Sequence, residues 1–242
     1  MKPYITVFTL NFLATNLYAL PKDFVYLHDL APLIIEDLRY LGSNNFIGHP
    51  IPGYTSNRCI LTKEAALQLA KVEQAALKRG YTLKVYDCYR PQKAVDAFYR
   101  WSQNPRDNKM KECFYPREEK AKLFEKGYIA KASGHTRGST VDLTLVKWPN
   151  PFTPSRKTSG PCYGKNPSYQ DDNSMDTGTR FDCMDRTAHI TYRNLTKQQL
   201  KNRQLLQNLM VRFGFSPYPE EWWHFTLKHE PFPNSYFNFP VA

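Results

Sequence analysis

Apolar and polar positions along the chain follow two rhythms, one of about 3.6 residues and one of two, and these predict its elements. Thr62 precedes a stretch from Lys63 to about Arg79, in which Glu64 sits in the first turn and Leu67, Ala70 and Leu77 share a side before Gly80. A capping hydroxyl at one end and a glycine at the other predict a helix there. In TLKVYD, Leu83 and Val85 alternate with polar neighbours, which predicts a strand. A second helix is expected after Pro91, with Ala94, Phe98 and Trp101 on one face. Val141, Leu143 and Leu145 alternate with Thr140, Asp142 and Thr144, so a second strand turns Asp142 away from its apolar face. Thr196 and Gln199 form a capping-box pattern ahead of a helix through Leu206, Leu209 and Met210, ended by Gly214. EWWHFTL, beginning at Glu221, reads as an aromatic strand. Between 147 and 180, five prolines and three glycines among polar residues predict a long loop, a length usually kept for function.

The 242 residues suit one large domain or two small ones. No repeat or shift in composition marks a boundary, so residues 20–242 are expected to form a single domain. A 41% hydrophobic content with 16 Tyr, 15 Phe and 4 Trp excludes a disordered chain. The formal charge of +11 favours anionic surfaces: nucleic acid, anionic lipid or cell-wall polymer. No nucleic-acid module or basic run supports the first of these. Residues 1–19, MKPYITVFTLNFLATNLYA, carry Lys2 as their only charge, an apolar run from Ile5 to Leu13, and small Ala19 at the end. This is the pattern of a secretory signal peptide cleaved near Ala19, and Asn11 and Asn16 argue against a membrane span. The expected mature chain has a charge of +10, has no stable membrane insertion, and is periplasmic or secreted. Its cysteines, Cys59, Cys88, Cys113, Cys162 and Cys183, form no CxxC pair, which argues against a thiolate zinc site. In an oxidising compartment one or two disulfides are expected, with at least one thiol left over. Cys162 with Cys183 is the pairing that would fasten the long loop.

The strongest chemistry lies in two segments, Ser133-Gly-His135-Thr-Arg-Gly138-Ser-Thr-Val-Asp142 and Glu221-Trp-Trp-His224. Two neutral imidazoles and one carboxylate make a three-ligand set for a catalytic zinc, with a fourth position left for water. Zinc lowers the pKa of that water toward about 7, and a carboxylate outside the ligand set can carry its proton to a leaving amine. His135, Asp142 and His224 are therefore assigned to one zinc ion and Glu221 to proton transfer. His135 and Asp142 are seven residues apart and would face opposite sides of a regular strand, so a turn at Gly138 is expected to bring them together. Glu221 and His224 are three apart and conflict in the same way. Pro217 and Pro219 place Glu221 in the loop before the strand. Arg90, between a strand and a helix, is positioned to stabilise an oxyanion.

The segments YDCYRPQKAV, SGHTRGSTVDLTL and EWWHFTL, in this order, resemble the zinc D-alanyl-D-alanine dipeptidases of the vancomycin-resistance type, the VanX-like enzymes. Tyr40, Asn45 to Gly48, Gly53-Tyr54 and Gly178 to Arg186 extend the likeness, which covers roughly residues 33–228. The resemblance implies the α+β fold of the D-Ala-D-Ala peptidase and hedgehog kind, a single domain with a central antiparallel sheet flanked by helices. It implies hydrolysis of the free dipeptide, with His135, Asp142 and His224 as zinc ligands, Glu221 as base and Arg90 as transition-state stabiliser. Asp182 matches the carboxylate that receives the substrate ammonium, and Ser133, Tyr40 and Tyr54 match substrate-pocket positions. Thr140 stands where the family has alanine, and the loop at 147–180 is longer than its counterpart. A carboxypeptidase or endopeptidase of the same fold acting on peptidoglycan stems is the nearest alternative. A non-catalytic zinc-stabilised module held on anionic cell wall is the next, although such a module would need neither Glu221 nor Arg90.

Overall fold

The computed structural model describes residues 20–149, 158–165 and 167–242, so the expected signal peptide lies outside the described residues. The strands are β1 (Phe24–Tyr26), β2 (Ile35–Glu36), β3 (Ile60–Thr62), β4 (Tyr81–Asp87), β5 (Thr140–Lys147), β6 (Phe215–Tyr218) and β7 (Glu221–Leu227). The α-helices are α1 (Leu27–Leu30), α2 (Lys63–Leu77), α3 (Gln92–Ser102), α4 (Lys111–Phe114) and α5 (Lys197–Arg212). The Thr62 side chain accepts from Ala65 N at the start of α2, and Thr196 with Gln199 forms a complete capping box on α5. Both N-termini thus follow from the sequence pattern.

Five strands form the main sheet in the order β2-β4-β5-β7-β6, while β1 and β3 pair in a separate ribbon. Four of the five are antiparallel neighbours, as expected of the central sheet, and the short edge strand β2 runs parallel to β4, which makes the sheet mixed. The parallel edge is two residues long, and the chain reaches β4 from it by a long connection that passes through β3 and then α2, the crossover that a parallel neighbour needs. Helices α2 and α5 touch each other and cover one face of the sheet, against the side of Leu83, Val85, Leu143 and Leu145. The other face carries Lys84, Tyr86, Asp142 and Thr144, and it too is buried.

What covers that second face is the long loop. Its described part is tied by polar bonds rather than by a hydrophobic core of its own. The buried Arg180 guanidinium donates to the carbonyls of Tyr169 (2.7 Å), Cys113 (2.8 Å), Gly160 (2.9 Å) and Ser159 (3.3 Å). Arg203 of α5 does the same for Thr177, Thr187 and His189. The expected bond between Cys162 and Cys183 is present, joined by Cys59–Cys88, and Cys113 is the free thiol. Among the described residues no helix is long and apolar enough to cross a membrane.

Candidate active site

On the loop-covered face, β5 and β7 place Asp142 directly opposite His224 in register. His135 joins them from a one-turn 3-10 helix, Gly134–Arg137, whose first turn is capped by Ser133 and whose end is Gly138 at φ 82°. That left-handed conformation swings the chain back over β5, as the spacing of His135 and Asp142 required. A side chain at Gly138 would also come within 2.3 Å of the Phe24 ring. Thr140 turns its hydroxyl to Thr226 at 2.9 Å and occupies the space behind Gly134.

The Glu221 conflict is resolved differently from the sequence expectation. Glu221 is the first residue of β7, not part of a preceding loop. The register with β6 shifts between Pro217 and Tyr218, so Pro217 pairs with Phe225 while Tyr218 pairs with Glu221. This bulge breaks the two-residue alternation and lets Glu221 approach His224, with Oε2 3.5 Å from Nδ1.

The ligand atoms converge. His135 Nε2 lies 3.2 Å from Asp142 Oδ2 and 3.3 Å from His224 Nδ1, and His224 Nδ1 lies 3.0 Å from Asp142 Oδ1. All three residues offer ligand atoms within 4.8 Å of one another. A tetrahedral ion with bonds of about 2.0 Å spaces its ligands about 3.3 Å apart, so these separations fit a zinc-sized ion. A second observation agrees: Asp142 Oδ1 is buried and makes no hydrogen bond, which is costly for a carboxylate oxygen unless a cation satisfies it. His135 Nδ1 donates to the Cys88 carbonyl at 2.7 Å, and this fixes the tautomer that leaves Nε2 free to bind metal.

Around this cluster the pocket has a volume of ≈ 290 Å³, the size for a very small ligand, and Glu221, Asp182 and Arg90 all line it. Arg90 donates through Nε to Asp87 Oδ2 at 2.9 Å, reaches 3.8 Å from Asp142, and lies over the rings of Tyr40 and Phe98. Asp182 adopts a left-handed φ of 59°, a conformation that aspartate tolerates, and accepts from the Tyr40 hydroxyl at 3.0 Å. Burial pushes the Asp182 carboxyl well above the usual range, and Asp142 adds to the effect. Burial likewise raises the Glu221 carboxyl, reinforced by Asp142 and Asp182. Burial would raise Asp142 too, but the imidazoles of His135 and His224 outweigh it and hold that carboxyl low. The His224 imidazole is pushed down by burial.

Ser133 and Tyr40 line the pocket, whereas Tyr54 stands one layer back, its hydroxyl donating to Asp87 Oδ1 at 2.6 Å. Asp87 escaped the sequence reading, although a carboxylate three residues before an arginine at a strand end was a usable signal. The Cys88 carbonyl left no signal, because a backbone group has no sequence signature.

A two-imidazole, one-carboxylate cluster beside a further carboxylate, set in a small pocket, is the arrangement of a metallopeptidase. More particularly, the chain belongs to the D-Ala-D-Ala dipeptidase family, whose model matches residues 21–150 and 167–242. The break between them falls inside the long loop. The chain is 38% identical over 220 residues to a D-alanyl-D-alanine dipeptidase of Streptomyces coelicolor, covering 91% of this chain and 98% of that protein. A protein of the same name from Enterococcus faecalis is 38% identical over 221 residues, covering 91% and 99%. A third, from Escherichia coli, is 29% identical over 209 residues, covering 85% and 86%. Among solved structures, the vancomycin-resistance D,D-pentapeptidase VanY in complex with Zn(II) overlaps 73% of this chain and 77% of its own, at 13% identity and a TM-score of 0.37.

Proposed function

We propose that this protein hydrolyses the free dipeptide D-Ala-D-Ala to two D-alanines, using one zinc ion held by His135, Asp142 and His224. The observation that carries the reading is the second buried carboxylate, Asp182, in the same small pocket as the metal cluster. A free dipeptide presents an ammonium group, and a buried anion that is raised in pKa when empty regains its charge when that cation arrives. A longer peptide has no ammonium at this position.

The bound ion would supply a Lewis acid and a water acidified to near neutrality. The chain's own residues do the rest. Glu221 takes the proton from the attacking water and delivers it to the leaving amine, a role suited to a carboxyl that burial and the neighbouring Asp142 make more basic than usual. Arg90, oriented by Asp87, stabilises the oxyanion that develops on the scissile carbonyl. Asp182 holds the ammonium and is steadied by Tyr40, while the Ser133 hydroxyl is available to the substrate carboxylate. Tyr54 acts from behind, through Asp87. Burial of the pocket strengthens each of these interactions over its value in water.

Two disulfides fit an oxidising compartment, so residues 1–19 are taken as an export leader and residues 20–242 as the enzyme domain. Export would put the enzyme where wall peptides are released, and its basic charge suits association with anionic cell wall.

The test is to incubate the mature protein, with and without a chelator, with D-Ala-D-Ala, L-Ala-L-Ala and a stem pentapeptide ending in D-Ala-D-Ala, and to measure released amino acid. Chelator-sensitive release from the free D,D-dipeptide alone is expected. Cleavage of the pentapeptide alone would overturn the role of Asp182 in favour of a carboxypeptidase, and zinc binding without any cleavage would favour a binding module.

A further inference from the structure

The Cys59–Cys88 bond lies beside the metal cluster. Cys59 directly precedes β3, and Cys88 directly follows β4. Both residues are fully buried. From Cys88 the chain runs through Tyr89 to Arg90, and three contacts anchor that turn. The Cys88 carbonyl accepts from His135 Nδ1 at 2.7 Å, Tyr89 N donates to the Ile60 carbonyl at 2.9 Å, and Arg90 N donates to the His135 carbonyl at 3.3 Å. A metal-binding imidazole and the pocket guanidinium therefore hang from one short turn, and a covalent bond pins that turn to β3.

We propose that the Cys59–Cys88 disulfide is a positioning element of the metal site, fixing the Cys88 carbonyl that orients His135 and the turn that carries Arg90. Once the Cys88 carbonyl leaves hydrogen-bonding reach of Nδ1, the imidazole loses the partner that fixes its orientation, and the ligand set loses its preorganisation. To these hydrogen bonds the disulfide adds a link that cannot open without reduction. Full metal affinity is then a property of the oxidised protein, which ties the site to an oxidising compartment. This inference rests on the metal assignment made under the proposed function, but not on the identity of the substrate.

The test measures zinc affinity without substrate, by competition with a chromogenic chelator, for the native protein, the Cys59→Ala/Cys88→Ala variant and the Cys162→Ala/Cys183→Ala variant. The last removes a bond of similar span that fastens the loop of Asp182 rather than the turn of Arg90. The Cys59→Ala/Cys88→Ala variant is expected to lose about 10- to 100-fold in zinc affinity, the range for outer partners of metal ligands. The Cys162→Ala/Cys183→Ala variant is expected to keep its zinc affinity. In the dipeptidase assay, the first variant should fall mainly in kcat at saturating zinc, because Arg90 acts on the transition state. Equal zinc affinity in all three proteins, or an equal loss in both variants, would overturn the proposal.

If the first variant does not fold, the native zinc-loaded protein is treated with a water-soluble phosphine. Water then supplies the oxygen of the phosphine oxide and the two protons taken by the thiolates. Zinc release should track alkylation of Cys59 and Cys88 mapped by mass spectrometry, and zinc retained after that bond is reduced would overturn the proposal. Native protein that binds zinc yet cleaves no dipeptide would remove the proposed substrate and leave this test intact.

Discussion

Two clusters of buried charge sit on the same face of the sheet, and they are built on opposite principles. In one, Arg39 contacts Asp37, Asp171 and Asp172 at 3.1, 3.1 and 2.7 Å, and Lys84 reaches Asp172 at 3.3 Å. The Tyr86 hydroxyl adds a bond to Asp172 at 2.7 Å. In the other, Arg90 is surrounded by the carboxylates of Asp87, Asp142, Asp182 and Glu221. The difference appears in the carboxyl groups themselves. Burial tends to raise Asp172, but Lys84 and Arg39 overcome it and hold the group low. Asp182 and Glu221 are raised by burial and by their acidic neighbours. The first cluster is complete and fastens the long loop to the sheet. The second carries an excess of negative charge that the proposed dication and substrate ammonium group would neutralise.

The comparison is sharpest at Glu221. Glu221→Gln removes the proton carrier and is expected to lower kcat by about 10²- to 10⁴-fold. The metal-free variant should nonetheless unfold at the same temperature as the native protein or higher, because a repelled carboxylate has been neutralised. Steady-state kinetics and a thermal melt in chelator decide it. Asp172→Asn is the reverse case. It removes the buried carboxylate that Arg39, Lys84 and the Tyr86 hydroxyl share and should cost about 3–5 kcal/mol in urea unfolding, while zinc affinity is retained. A large loss of zinc affinity there would mean the two clusters are one unit.

Asp182→Asn should reduce kcat/KM for the free dipeptide by about 10- to 100-fold, as expected for loss of a hydrogen bond to a charged group. It should have little effect on zinc binding. The smallest effect is on pH dependence. Asp172 is lowered on folding, so its stabilisation is present above the unfolded value of about 3.9 and fades as pH falls below it. Glu221 and Asp182 are raised, so in metal-free protein they favour folding at acid pH and oppose it as pH rises through their folded values. Unfolding across pH should therefore show a shallower acid limb in Asp172→Asn and a shallower upper limb in Glu221→Gln.

The sequence revealed elements wherever a local rule operates. Thr62, Thr196 with Gln199, and the alternation around Val141 to Leu145 each placed an element, and the turn at Gly138 followed from a parity argument about His135 and Asp142. The Cys162–Cys183 pairing could be read because a loop with little hydrophobic material of its own needs a fastener. Non-local features were hidden. The parallel strand β2 is too short for any pattern, and the bulge opposite Glu221 depends on pairing with β6 rather than on Glu221 itself. Cys59–Cys88 joins positions 29 residues apart with nothing in either segment to announce it. Asp87 showed only as one more acid until its contacts with Arg90 and Tyr54 were seen.

The register that sets Asp142 against His224 also bears on how the molecule comes together. These ligands lie on strands separated by 82 positions, and a slip of one residue between β5 and β7 would turn His224 to the helix-covered side. No partial hairpin can complete the coordination set, because the contact is long-range and must wait for the intervening chain to close. If these residues hold the ion as proposed, metal capture during refolding reports the pairing of β5 with β7, and a chain that has taken up its ion has already proofread that register.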